Sequence, residues 1–340
     1  MKISFLKMTL ATSCAGLVLV ACGGGGSDGD NPGNTPPALS APLAITSENA
    51  AQVSGSGVGA SNSADTMNVS GSSVLGGIEM TSSESQFSFR TFAKKQLNQY
   101  RTSLNMTDTL AGVEISSTMV DCSNGGSITI SGNVVDHNRD LRSRGDSLTV
   151  IFDNCGNSGT TMSGSISVTF NTDQSDELTA PYNNSMTMVM DKFSVVQPGQ
   201  ATLQAQGDMT IDTSSDDGIT VNTSISGTSF SVGDGSATEI LANYKFDFTI
   251  NKATGAYNES IVATIDIRQL GGSVECTTPT LFEGVGDSNP HTGAFKCVGA
   301  NQSSVTLTAI DSTTVQLEID TDGDGVADET KTSTWAEIGL

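Results

Sequence analysis

From Gly112 onward the chain repeats one pattern, an apolar residue followed by a short polar one. Ile128 and Ile130 show it, as do Leu148, Val150 and Phe152, then Ile166, Val168 and Phe170, then Met186, Met188 and Met190. It continues through Leu203 and Ala205, Ile219 and Val221, Tyr244 to Ile250, Ala263 to Ile267, Val305 and Leu307, and Val315 to Ile319. The positions between are mostly Ser, Thr, Asp, Asn and Gln. Successive side chains of a strand point to opposite faces, so each run has one apolar and one wet face, as antiparallel sheets do. Gly, Asn and Asp clusters separate the runs, as hairpin turns require. About a dozen strands or more is too many for a flat open sheet. The expected fold is therefore mainly β: a large curled antiparallel meander over 112–340, forming a half-barrel, a barrel or a sandwich.

Ahead of it, residues 44–111 read as an irregular segment with one amphipathic helix over 86–104. Phe89, Phe92, Ala93, Leu97, Tyr100 and Leu104 recur there at helical spacing, with Arg90, Lys94, Lys95 and Arg101 between them. Its apolar stripe packs on the sheet, or its basic face meets a membrane surface. A shorter helix is expected over Ala44 to Val53, capped by Thr46 or Ser47 and ended by Gly55. A helix ahead of a long meander resembles the unclosed barrels of periplasmic lipoprotein carriers, which implies a second reading in which an apolar ligand sits between helix and concave sheet. A spanning barrel fits less well, since aromatic residues make up only 5% of the chain.

The first residues have the parts of a secretory signal. Lys2 and Lys7 form a basic start, Met8 to Val20 is mostly apolar, and Leu19-Val20-Ala21-Cys22 follows. This tetrapeptide resembles the lipobox of bacterial lipoproteins, implying a signal peptide over 1–21 and a lipid on the Cys22 thiol. By the same resemblance, Gly23 rather than Asp after the cysteine implies sorting to the outer membrane. Residues 22–43 are then a lipidated cysteine and a flexible Gly/Pro linker, which cannot bury a core. Such a stretch spans about 25 Å r.m.s.. Of the 15 Lys and Arg, Lys2 and Lys7 precede Cys22, which leaves 13 against 37 Asp and Glu. That surface repels nucleic acid and suits an exported protein that meets divalent cations.

Besides Cys14 and Cys22, four cysteines remain. In an oxidising envelope an even number reads as disulfides, and four allow three pairings. Hairpin register favours one of the three, Cys122–Cys155 with Cys276–Cys297. Gly126 to Asp136 pairs with Gly145 to Asp153, which brings Cys122 and Cys155 together at the open end. Cys276 and Cys297 lie on two short strands around a connection from Pro279 to Thr292.

The best candidate for chemistry is Asp320-Thr321-Asp322-Gly323-Asp324-Gly325-Val326-Ala327-Asp328. Asp320, Asp322, Asp324 and Asp328 offer carboxylates at the first, third, fifth and ninth positions, and Val326 a carbonyl at the seventh. Alternate residues of a tight loop point inward, so this spacing converges hard oxygens on one Ca²⁺. It resembles the calcium loops of EF-hands and thrombospondin type 3 repeats, and more closely the calcium hairpins of integrin-type blades. Lys331 stands at the twelfth position in place of a bidentate Glu, and Glu329 comes two residues early. The implied affinity is weak, on the order of 10⁻⁴–10⁻³ M, with a structural role. The competing reading is an acidic Asp/Gly hairpin without an ion.

Other features carry less. Asn171, Asp173, Ser175 and Glu177, and Asp212, Asp216 and Asp217, lack the full spacing and read as solvated tips. Met186, Met188 and Met190 resemble methionine-rich copper(I) sites, but at spacing two they fill a core. Arg144-Gly145-Asp146 works as a turn opening a strand. The two histidines, His137 and His291, sit among turn formers, and no nucleophile elbow, zinc-protease helix or phosphate loop is present. No catalytic residue and no organic cofactor are expected. The sequence thus points to a lipid-anchored envelope protein with a structural, adhesive or binding role toward an unidentified envelope or surface ligand. The apolar-ligand carrier is second and an enzyme without a recognisable motif third.

Overall fold

A computed structural model of the chain describes residues 38–60 and 113–340, apart from 136–142, 158, 175–178, 197, 199–201, 234–237 and 287. The expected helix over 86–104 lies outside the described residues, as do Cys22 and the expected signal peptide over 1–21. Among the described residues fourteen strands follow one another: β1 (Val113–Asp121), β2 (Ser127–Val134), β3 (Ser147–Asn157), β4 (Thr160–Phe170), β5 (Tyr182–Val196), β6 (Leu203–Ser215) and β7 (Thr220–Gly233) form the first half. The second half is β8 (Thr238–Asn251), β9 (Ala256–Ile267), β10 (Gly272–Val285), β11 (Thr292–Val298), β12 (Ser304–Ala309), β13 (Thr314–Asp320) and β14 (Glu329–Thr334). Each pairs antiparallel with the next in a single 14-stranded sheet that does not close. Among the half-barrel, barrel and sandwich expected, the unclosed meander is the one formed.

The period-two positions are the core. Ile128, Ile130, Val150, Ile166, Val168, Met188, Ile211, Ile225, Phe246, Ile261 and Ile265 are all buried on one face. The alternation changes phase where the register slips. In β5 it runs Met186, Met188, Met190 and resumes at Phe193, because the ladder shifts between Met190 and Phe193 and Lys192 takes φ 48°. Asn154 (φ 48°) in β3 and Asn243 (φ 47°) in β8 mark equivalent slips, with Gly164 and Gly207 at positive φ on the strands between. Bulges at neighbouring positions on adjacent strands raise the local twist, so this line bends the sheet. A Cβ on Gly164 would lie 2.3 Å from the Lys192 carbonyl oxygen, so only glycine fits the bend there.

Both disulfides are formed. Cys122, just past β1, is joined to Cys155 in β3 with Cα atoms 5.4 Å apart, and Cys276 to Cys297 with Cα atoms 4.1 Å apart. Cys276 and Cys297 are direct cross-strand partners of β10 and β11. The first hairpin has the expected register, from Ser127↔Asp153 to Asn133↔Ser147. The second corrects the reading of a connection starting at Pro279, because β10 runs through that proline to Val285. Pro279 lacks an N–H, and the ladder to β11 slips between Thr277 and Thr280 to accommodate it. On the other side the Thr278 hydroxyl accepts from the Ile261 N–H at 2.9 Å and donates to the Ile261 carbonyl at 3.2 Å, standing in for ladder bonds.

Residues 50–60 form a helix, α1. The Thr46 N–H donates to Asn49 Oδ1 at 2.8 Å, and the Asn49 N–H donates to Thr46 Oγ1 at 3.4 Å, a reciprocal cap. Thr46, one of the two expected caps, therefore starts the turn. The expected stop at Gly55 is wrong, because the helix continues through Gly55, Gly57 and Gly59. Those glycines are used for close approach. A Cβ on Gly55 would meet the Ile338 carbonyl oxygen at 1.7 Å, and one on Gly57 the Phe295 ring at 2.4 Å. Ala50, Val53, Val58 and Ala60 of α1 join the sheet's core cluster with Phe295, Trp335 and Ile338. Residues 44–60 are thus part of the β body and not a separate irregular segment.

Candidate metal centre and docked amino-terminal strap

The turn between β13 and β14 carries the predicted calcium spacing. Asp320 ends β13 almost fully buried, while Asp322 and Asp328 are exposed. Carboxylate oxygens of Asp320, Asp322 and Asp328 all lie within 4.8 Å of one another. The fourth predicted carboxylate, Asp324, is not in this group; its Oδ1 accepts the Val326 N–H at 2.8 Å. Val326 itself has an exposed side chain, and the lone pair it would offer is on its backbone.

Backbone amides hold the three carboxylates in place. Asp320 Oδ1 accepts from the Gly323 N–H at 2.7 Å and its Oδ2 from the Gly325 N–H at 2.9 Å. Gly323 (φ 78°) and Gly325 (φ 88°) supply the left-handed turns that aim those amides inward. Asp322 Oδ1 accepts from Asp324 N–H at 3.2 Å. Asp328 Oδ2 accepts from both the hydroxyl and the N–H of Thr321, at 2.6 and 2.8 Å. The Thr321 hydroxyl first, and its amide second, hold the Asp328 carboxyl below the usual carboxylate range. Those donors favour the ionised form of Asp328. Hard oxygens at this spacing suit Ca²⁺ better than a softer metal, and like charges this close favour a cation between them.

The sequence reading missed what supports the loop. A Cβ on Gly323 would lie 2.2 Å from the Asn301 carbonyl oxygen, so the loop rests on the 3₁₀ turn Ala300–Gln302. Asn301 (φ 54°) and Gln302 (φ 65°) both adopt the left-handed region there. The residues after the loop are engaged elsewhere. Lys331, at the twelfth position, donates from Nζ to the Ser47 carbonyl at 2.8 Å, and its partner Glu329, 3.2 Å away, accepts from the Ser47 hydroxyl. Ser47 first and Lys331 next hold the Glu329 carboxyl below its ordinary value. Neither residue is one that spacing alone assigns to a strap 284 and 282 residues away in sequence.

That strap corrects the linker boundary. Residues 38–43, read as the end of a flexible linker, are pinned to the sheet. Arg268 Nη2 donates to the Ala38 carbonyl at 2.8 Å, and the Ser40 N–H donates to Asp266 Oδ2 at 2.9 Å. Asp266 is fully buried and also pairs with Arg268 Nε at 3.1 Å. Pro42 bridges Ser273 in parallel, and Leu43 N–H donates to the Ser273 carbonyl at 2.8 Å. The Ala300 N–H then reaches the Leu43 carbonyl at 2.8 Å, and the Ile45 N–H reaches Ser303 Oγ at 2.9 Å. The strap joins the start of β10, the 3₁₀ turn and the start of β14.

Asp217, read as part of a solvated tip, organises its own turn, with Oδ1 accepting from the Ile219 and Thr220 N–H groups at 2.8 and 2.6 Å, while Asn171 Nδ2 donates across to the Ser185 and Thr187 hydroxyls of β5 at 3.1 and 3.0 Å. Met188 and Met190 are buried in the core, as expected of fillers. Among the described residues no helix is long and apolar enough to cross a membrane. In comparisons with known proteins, no family model, no curated protein and no solved structure matches the chain.

Proposed function

We propose that the chain is a lipid-anchored, non-catalytic protein of the bacterial cell envelope, bound to the outer membrane through Cys22, with a structural calcium ion clamping the β13–β14 hairpin. The observation that carries the metal part is the convergence of Asp320, Asp322 and Asp328 within 4.8 Å, each carboxylate oriented by the loop's own amides. The leader and Leu19-Val20-Ala21-Cys22 carry the anchor, and the two disulfides suit an oxidising compartment. The ion would offset the repulsion of the three carboxylates and fix the hairpin that holds Ser47. The body then serves as a rigid element for a structural, adhesive or binding task. An apolar-ligand carrier draws less support, because Val53 and Val58 of α1, with Phe295, Trp335 and Ile338, fill the sheet's apolar face at β11 and the carboxyl terminus.

The test is thermal unfolding of the full chain in EDTA and in millimolar CaCl₂, beside mass spectrometry of its amino terminus. A melting temperature that rises with calcium, and a diacylated cysteine at position 22, support the reading. An unchanged melting temperature rejects the clamp, and an unmodified Cys22 in the membrane-derived protein rejects the anchor.

A further inference from the structure

The strap is held by the same two elements that frame the metal loop, which begins at Asp320 and ends at Asp328. Asp320 is the cross-strand partner of Ser304, and the neighbouring Ser303 accepts the Ile45 N–H on Oγ at 2.9 Å. The same turn gives the Ala300 N–H to the Leu43 carbonyl at 2.8 Å. At the other end, Asp328 donates its N–H to the Ile319 carbonyl at 2.8 Å, and the next residue, Glu329, accepts from the Ser47 hydroxyl. Lys331 reaches the Ser47 carbonyl from Nζ at 2.8 Å. The loop's middle meets the turn as well, since a Cβ on Gly323 would lie 2.2 Å from the Asn301 carbonyl oxygen. On the strap side, a Cβ on Gly299 would lie 2.0 Å from the Leu43 carbonyl oxygen, so strap and turn also meet backbone to backbone. A shift of the turn against β14 therefore strains the bonds to Leu43, Ile45 or Ser47.

We propose that calcium in the β13–β14 loop controls the docking of the strap over residues 38–47, and that the docked strap in turn tightens the loop's hold on calcium. This rests on the reading of Asp320, Asp322 and Asp328 as a calcium site. Their carboxylate oxygens lie within 4.8 Å of one another. Without a cation their repulsion drives Asp320 and Asp328 apart, and Ser303 and Glu329 with them. The strap bridges those two anchors with Ile45, Thr46 and Ser47, a stretch too short to take up the change. An ion between the carboxylates draws the anchors back to the spacing at which both strap bonds form. The other ties, from Arg268 to Ala38, Asp266 to Ser40 and Ser273 to Leu43, lie at the β9–β10 turn, away from the loop. The response is therefore graded, greatest at Ile45 and Ser47 and least at Ser40. It is also reciprocal, because a ligand that favours the docked state binds that state more tightly by the same factor.

Amide hydrogen exchange of the full-length protein, resolved by NMR in EDTA and in saturating CaCl₂, tests this, with calcium binding measured by titration calorimetry in parallel. Calcium should slow exchange of the Ile45 amide about fivefold or more. The Ser40 amide should slow less, and the Thr220 amide, held by Asp217 in the turn between β6 and β7, should not change. Ser47→Ala and Ser303→Ala each remove one strap anchor and touch none of the three carboxylates, so both should weaken calcium binding severalfold. Calcium heat with no change at Ile45, equal slowing at Ile45 and Thr220, or wild-type affinity in both variants overturns the coupling and leaves the clamp standing. No calcium heat in the wild type overturns the clamp and the coupling with it.

Discussion

Replacing Gly55 by Ala should destabilise the protein, although alanine is the better helix former. In a free helix the exchange would gain about 1 kcal/mol. Here the new Cβ would lie 1.7 Å from the carbonyl oxygen of Ile338, a backbone atom that cannot rotate away. Relieving that contact requires α1 or the carboxyl-terminal turn to move by more than an ångström. Overpacking of this kind costs about 1–3 kcal/mol, and the backbone obstacle puts this site at the upper end. The ceiling is the release of α1, which would expose Val53 and Val58, now at 0% and 4% exposure. That burial is worth about 3–6 kcal/mol. The net expectation is a loss of about 2 kcal/mol, a fall of roughly 0.7 M in the urea midpoint for an m-value near 3 kcal/mol/M. Gly59→Ala is the matched control. Its Cβ would have only Leu340 Cδ2 nearby, at 3.7 Å, an ordinary contact, so the same exchange should stabilise by up to about 1 kcal/mol. The two variants should move the midpoint in opposite directions. If both raise it equally, α1 does not pack against Ile338 and the account of its glycines is wrong.

Three further outcomes follow from named contacts. Burial raises the Glu239 carboxyl above its ordinary value of 4.5, with the Ser56 hydroxyl opposing in part. The folded state therefore holds this proton more tightly than the unfolded chain. Its contribution is complete below the unfolded value and lost as pH rises through the folded one, so Glu239→Gln should gain stability over wild type at neutral pH but not near pH 4; a pH-independent difference in urea midpoint would count against this. Removing the Cys276–Cys297 bridge by double serine substitution should cost about 3 kcal/mol on a chain-entropy scale for its 21-residue separation, measurable by urea unfolding under non-reducing conditions; no loss would mean the bridge constrains nothing. Ser47→Ala removes the hydroxyl that lowers the Glu329 carboxyl, so the Glu329 titration followed by NMR should move up toward the ordinary range, and an unmoved titration would show that the strap does not reach β14 in solution.

The meander was legible because the Ile, Val, Met and Phe positions alternate so regularly with Ser and Thr that register has one solution per hairpin. The cysteine pairs followed from that register. The bend was not legible, since Asn154, Lys192 and Asn243 take positive φ to satisfy the curvature of the whole sheet, which no local window contains. Gly55 was misread because glycine punctuates helices in isolation, whereas here its missing side chain admits a backbone from the other end of the chain. Pro279 was taken for a turn because the rescue by Thr278 depends on a neighbouring strand. At the candidate loop the spacing pointed to Asp320, Asp322, Asp324 and Asp328; carboxylate oxygens of Asp320, Asp322 and Asp328 lie together, while Asp324 Oδ1 accepts the Val326 N–H. Lys331 and Glu329 looked like a defective twelfth ligand and a misplaced one; their function is to hold Ser47, a contact only the folded chain creates.

The central claim is that the β13–β14 loop binds calcium through converged carboxylates. Isothermal titration of the EDTA-stripped protein with CaCl₂, in wild type and in Asp322→Ala, tests it most directly. Asp322 is exposed, so its loss leaves the fold of β13 and the buried Asp320 in place. The account predicts one site with Kd on the order of 10⁻⁴–10⁻³ M in the wild type, weakened at least tenfold in the variant. No calcium heat in the wild type, or equal binding in both, would contradict it.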